Sequence, residues 1–308
     1  MRVTRDKHFY AFSAALSPAA TVKPGETVVM ETHDCFCGQI RTEADSVEAL
    51  DWSRINPATG PVYVEGAEPG DVLVVDIREI HLPSQGAMVA IPGEGALGDI
   101  IPAAETRIIP VREGRAVFND RVRLELSPMI GVIGVAPRTG EVPTGTPGRH
   151  GGNMDCTAVR AGSKVYLPVE VPGALLGMGD LHAAMADGEV LICGLETSGE
   201  VVFTTRLLRD TRLPVPLVET ADRIAALSSA PTVDEAAREA VHAMAALLTG
   251  AVGLSTNEAG MLLSLVGELR FCQVVDPMKT VRMEFPKAVL ASLGFTLDRP
   301  ADHADHAD

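Results

Sequence analysis

What most limits the folds open to this chain is the way its apolar residues are cut into short runs. Strand-length stretches at TVVMET (27–32), VLVVDI (72–77), TRIIPV (106–111), VRLEL (122–126), MIGVIGVAP (129–137) and KVYLPVEV (164–171) alternate with turns rich in glycine, proline and aspartate. Turn signals recur about every eight to twelve residues, the spacing of an all-β sandwich or barrel. The PGD of PVYVEGAEPGDVLVVDI presets a hairpin-like corner, REGR (112–115) joins two strands, and GLETSGEVVFTTRLL (194–208) reads as a hairpin turning at Ser198-Gly199. SVEALDW (46–52) suggests a short helix, but sustained helical spacing arrives late, in PTVDEAAREAVHAMAALLTGAVG (231–253) and STNEAGMLLSLVGELRF (255–271). A strand, QVVDPMKTVRMEFP (273–286), and a short helix, KAVLASLG, follow. The expectation is one folded unit over residues 1–300, α+β in character from about 220, and a disordered polar tail at 301–308.

Aromatic residues make up only 4% of the chain, so the core must be built from Val, Leu, Ile, Ala and Met. A formal net charge of −15 and the lack of a basic stripe argue against nucleic acid as a partner, and against docking on anionic membranes. The N-terminal MRVTRDKHFYAF lacks the apolar region of a signal peptide, so a cytoplasmic protein with free thiols is expected. Cys35 and Cys37 are spaced too closely for the usual zinc or redox pair, and no second pair follows.

Chemistry concentrates between Gly148 and Glu196. His150, Asp155, Asp180, His182, Asp187, Glu189 and Glu196 lie there interleaved with glycines, among them those at 148, 151, 152, 162, 173, 177, 179 and 188. Glycine permits sharp turns, so acids and imidazoles set among glycines can converge from loops. KVYLPVEV and GEVLICGLE read as strands, with GMGDLHAAMADGE as the polar connector between them. Carboxylates beside imidazoles form the ligand set of a divalent metal, or an acid/base pair around an activated water. Taken singly, each of these residues is equally at home capping a turn; it is the clustering that points to a site. His33-Asp34-Cys35, at the end of TVVMET, is a second site edge or simply a turn.

GRHGGNMD, YLPVEVPGALLGMGDLHAA, DGEV and Glu196 resemble the acetamidase/formamidase family. GPVYVEGAEPGDVLVVDI, PMIGVIGVAP and LRFCQVVDPMKTVRMEFPK resemble the same family in the same order, so the likeness covers nearly the whole chain. It implies a mainly β fold: a jelly-roll-like β-sandwich core with an additional small α/β element carrying two C-terminal helices. It also draws Asp34 into the site. One departure is Met185-Ala186, where members commonly carry Gln and Gly.

The expected activity is hydrolysis of short aliphatic amides to a carboxylate and ammonia by metal-assisted attack of water. Asp34, Asp155, Asp180 and His182 are the expected ligands, with His150 second, and Glu196 or Glu189 the base. A mixed carboxylate and imidazole set suits zinc better than magnesium, and calcium gains if oxygen donors predominate. A homo-oligomer, dimer or larger, is expected. The rival readings are a non-catalytic jelly-roll protein whose acids form a structural calcium or carbohydrate site, and an amidase using Cys156 as nucleophile. A structural site leaves no glutamate free, whereas Glu189 and Glu196 are in surplus. Cys156 adjoins Asp155, and neighbours on a strand point to opposite faces.

Overall fold

In the computed structural model, which describes residues 1–297, most of the expected apolar runs are strands, and they divide between two large sheets. The first sheet runs Arg2–Val3, Val28–Thr32, Gly199–Leu208, Val72–His81, Lys164–Pro168, Leu217–Glu219, Arg223–Ala230, Lys279–Pro286 and Glu268–Gln273. The second centres on Leu176–His182, which has Met129–Gly134 along one side and both Ala58–Val64 and Glu196–Thr197 along the other. Their facing sides share one core, with Val75, Ile77, Leu167, Val201 and Phe203 from the first sheet and Ile130, Ile133, Leu176, Met178 and Leu181 from the second. The molecule is therefore a β-sandwich, and the alternation of each strand decides which side chains enter that core.

The helices cover the outer face of the first sheet. α1 (Val233–Gly250) starts at Thr232, whose hydroxyl accepts from the Glu235 amide. α2 (Thr256–Val266) starts with a reciprocal capping box between Ser255 and Glu258. α3 (Lys287–Ser292) closes the described chain. Ala236, Ala240, Met244 and Leu247 of α1 pack on Ile224, Ala226, Val281, Met283 and Phe285 of the sheet.

The structure departs from the sequence reading at several points. SVEALDW forms two 3-10 turns, Val47–Ala49 and Trp52–Arg54, instead of a helix. Neither the PGD corner nor Ser198-Gly199 closes a hairpin: at each, the chain leaves one sheet and enters the other. Residues 273–286 are not one strand: they hold the end of strand Glu268–Gln273, a turn at 274–278 and the strand Lys279–Pro286, and ELRF belongs to the first strand. GMGDLHA, read as a connector, is the fully buried central strand Leu176–His182. GEVLICGLE, read as a strand, is a loop with an isolated bridge at Gly188 that enters a strand only at Glu196. The polar tail lies outside the described residues.

Candidate metal centre

Strand Leu176–His182 turns its inner side chains toward the sandwich core, yet Leu176, Met178 and Leu181 are all core residues. A two-residue repeat would put Asp180, not Leu181, on that side. The phase slips at Asp180, whose φ is +56°. Beyond the slip Leu181 points inward, and Asp180 and His182 face the outer side of the second sheet.

Four further acids meet them there. Asp155, in the turn after strand Gly151–Asn153, has φ +42°, and Glu189, in the loop that follows the central strand, has φ +46°. Glu196 stands opposite His182 in the strand register. Asp276 comes from the turn between the last two strands, where its carboxylate accepts from Asn153 Nδ2 at 2.9 Å. His182 Nε2 lies 3.1 Å from Glu196 Oε1, 3.4 Å from Asp180 Oδ1 and 3.8 Å from Asp155 Oδ1. Two glycines make the room. A Cβ at Gly131 would sit 2.4 Å from Asp155 Oδ1 and 2.6 Å from Asp180 Oδ2, and one at Gly194 would sit 2.7 Å from the His182 ring.

Apart from the half-buried Asp276, these groups are shut away from water, and few are satisfied. Both oxygens of Asp155, one each of Asp180, Glu189 and Glu196, and both nitrogens of His182 are buried without a hydrogen-bond partner. A buried polar atom left alone costs about 1–3 kcal/mol, more if charged, so such a concentration marks a place built for something else. Burial pushes Asp155 and Glu189 well above the carboxylate range, Asp155 further by Glu189 and Asp180, and Glu189 by Asp276. Burial also raises Glu196 to about 7 and Asp276 to about 7, and Asp180 adds to both shifts. Burial disfavours the charged form of His182, but Glu196 and Asp180 override it and hold the imidazole well above its usual value. One imidazole cannot balance this many carboxylates. A divalent cation can, and two sets of donors converge closely enough to hold one: Asp155, His182 and Glu189, and Cys35, Asp180 and Glu196, each within 4.8 Å.

Asp155, Asp180, His182, Glu189 and Glu196 are thus brought together, as their spacing suggested. Asp34 and His150 are not. Asp34 Oδ1 accepts from the Gly38 amide at 3.1 Å and closes a turn, and its neighbour Cys35 is the residue that reaches Asp180 and Glu196. His150 is buried edge-on against Phe12, with ring centroids 5.2 Å apart, and burial lowers its pKa to about 4. Cys156 turns away from the acids to Cys272 and Arg282. Met185 and Ala186 line a separate cavity of about 370 Å³, together with Asp187, Arg223 and Arg282. Asp276 went unnoticed in the sequence; its only signal was the turn-forming pair Asp276-Pro277.

Fold and site together define a β-sandwich protein with a buried acid–imidazole centre able to hold a cation. More narrowly, the chain belongs to the Acetamidase/Formamidase family, whose model matches residues 4–144 and 140–291. It superimposes on the crystal structure of an acetamidase from Bacillus halodurans with a TM-score of 0.95 and 43% identity, covering 96% of this chain and 100% of that one. It is 30% identical to a formamidase of Methylophilus methylotrophus over 62% of this chain and 61% of that protein. It is also 29% identical to an acetamidase of Mycolicibacterium smegmatis over 62% of this chain and 63% of that protein. The chain thus spans less than two thirds of the length of these curated relatives. Among the described residues no helix is long and apolar enough to cross a membrane.

Proposed function

We propose that the chain hydrolyses short linear amides, RCONH2 + H2O giving RCOO− and NH4+, with a divalent cation bound among Asp155, Asp180, His182 and Glu189. The observation that carries this reading is the set of buried, unpartnered donor atoms on these residues. An imidazole among the donors favours zinc over calcium, which takes six to eight oxygens. When bound, such a cation lowers the pKa of water toward ~7 and polarises a carbonyl.

Glu196 is the proton carrier. Its Oε1 accepts from the Gly194 amide at 2.9 Å, which leaves Oε2 uncommitted and buried. A carboxylate so placed takes the proton of the attacking water and returns it to the amide nitrogen as the C–N bond breaks. The burial that raises its pKa also makes it basic near neutrality. Its uncommitted oxygen separates this reading from a purely structural calcium or carbohydrate site. The relatives named above are called formamidase and acetamidase, which agrees with a small amide as substrate.

The test is ammonia release from formamide, acetamide and propionamide, measured on the purified chain, after chelation and after zinc is restored. Activity lost on chelation and recovered with zinc is the expected result. Full activity in rigorously metal-free protein would overturn the role given to the cation.

A further inference from the structure

The loop that carries Glu189 brings a carboxylate into a pocket already lined with carboxylates, so like-charge repulsion pushes it outward until a cation arrives. Something must hold it in place. Asp187, two residues before Glu189, is gripped by Arg282: Nη1 donates to Oδ1 at 2.9 Å and Nη2 to Oδ2 at 2.7 Å. The same Oδ1 accepts from the Thr157 hydroxyl at 2.6 Å, and Thr157 lies two residues after Asp155. Between Asp187 and Glu189 the backbone is tied as well. The Gly188 amide donates to Cys272 O at 3.0 Å, and Gly188 O accepts from the Val274 amide at 3.2 Å. Arg282 itself cannot drift. Its side chain is only 3% exposed, and its Nε donates to Glu284 Oε1 at 2.7 Å on the same strand.

We propose that Arg282 is a positioning residue for the metal centre: its two-pronged grip on Asp187 holds Glu189, and through Thr157 also Asp155, within reach of one another, and so sets the affinity for a divalent cation. This rests on Glu189 and Asp155 being ligands, as proposed above. Arginine suits the task because its planar fork fixes a carboxylate in orientation as well as distance, which a lysine ammonium does not. Residues that orient ligands from behind typically change metal affinity by about 10–100-fold when replaced.

The experiment is a zinc titration against a competing chelator on the full chain. Arg282→Ala should weaken zinc binding by about 10–100-fold. Arg282→Lys should lose part of the affinity, and Thr157→Val should lose less. Free guanidinium should restore affinity to Arg282→Ala, because the cavity beside Arg282 and Asp187 can admit it. Arg223→Met, which empties another arginine position in that cavity, should leave zinc binding unchanged even if it lowers stability. Should Arg282→Ala fail to fold, Arg282→Lys and Thr157→Val carry the test. In amide hydrogen exchange, Gly188 should lose protection in the Arg282 variants only. Zinc binding at wild-type affinity in folded Arg282→Lys and Thr157→Val overturns the positioning role while the metal centre stands. So does equal weakening by Arg223→Met. A wild-type chain that takes no zinc overturns the metal centre itself, and the positioning role with it.

Discussion

The outer faces of the two sheets are both buried, and by opposite means. On the first sheet, α1 lays Ala236, Ala240, Met244 and Leu247 on Ile224, Ala226 and Phe285, and each group touching another is a gain in itself. On the second sheet, loops cover Asp155, Asp180, His182, Glu189 and Glu196, whose mutual contact is a cost until a cation or protons intervene. The difference shows that burial alone does not separate structural residues from functional ones. What separates them is whether the buried atoms satisfy each other.

This contrast can be broken or sharpened by experiment. The largest effects belong to the charged face. Asp180→Asn should strip the bound ion and bring amide hydrolysis to background, read as metal content and ammonia release together. In chelator, the same variant should melt at a higher temperature than its parent, because one of several crowded carboxylates is gone; a lower melting temperature would mean that the acids stabilise each other without an ion. Glu196→Gln should retain the ion and still lose turnover by ~10^2-fold or more. If it sheds the ion, Glu196 is a ligand. On the helix-covered face, Leu247→Ala should cost about 2–5 kcal/mol in denaturant unfolding and leave zinc affinity where it was. A change in zinc affinity there would show that the two faces are coupled.

His150 belongs with the apolar regions despite its titratable ring, and pH should reveal it. Its pKa in the fold is about 4, against 6.5 ordinarily. Between those values the unfolded chain takes up a proton that the folded chain refuses. The associated stability is complete above pH 6.5 and is lost as pH falls toward 4, at about 1.4 kcal/mol per unit and on the order of 3 kcal/mol in all. His150→Phe should flatten that part of the melting curve against pH. The smallest effect is expected from alkylating the half-buried thiol of Cys37, which should leave most of the activity.

Much of this could be read from the chain. The late helices announced themselves by periodicity, and the structure caps them at Thr232 and Ser255. Five of the seven named site residues converge as their crowding among glycines suggested. What misled was polarity. A strand whose outer face carries Asp180 and His182 resembles a connector, and a loop as apolar as Val190-Leu191-Ile192 resembles a strand. Asp34 and Cys35 are neighbours, and which of them reaches the pocket depends on the turn that Asp34 caps, a detail no local pattern encodes. Asp276 lies 123 residues beyond its partner Asn153 along the chain, in a pairing that only the tertiary structure reveals.

Asp155, Asp180 and Glu189 all hold left-handed backbone angles, a region in which glycine is comfortable and glutamate is not. Selection for stability alone would therefore push against the site: Glu189→Gly should relieve both backbone strain and charge crowding, giving a sturdier chain with a poorer centre. Thermal screening of random variants should enrich glycine at position 189, and screening for amide hydrolysis should remove it.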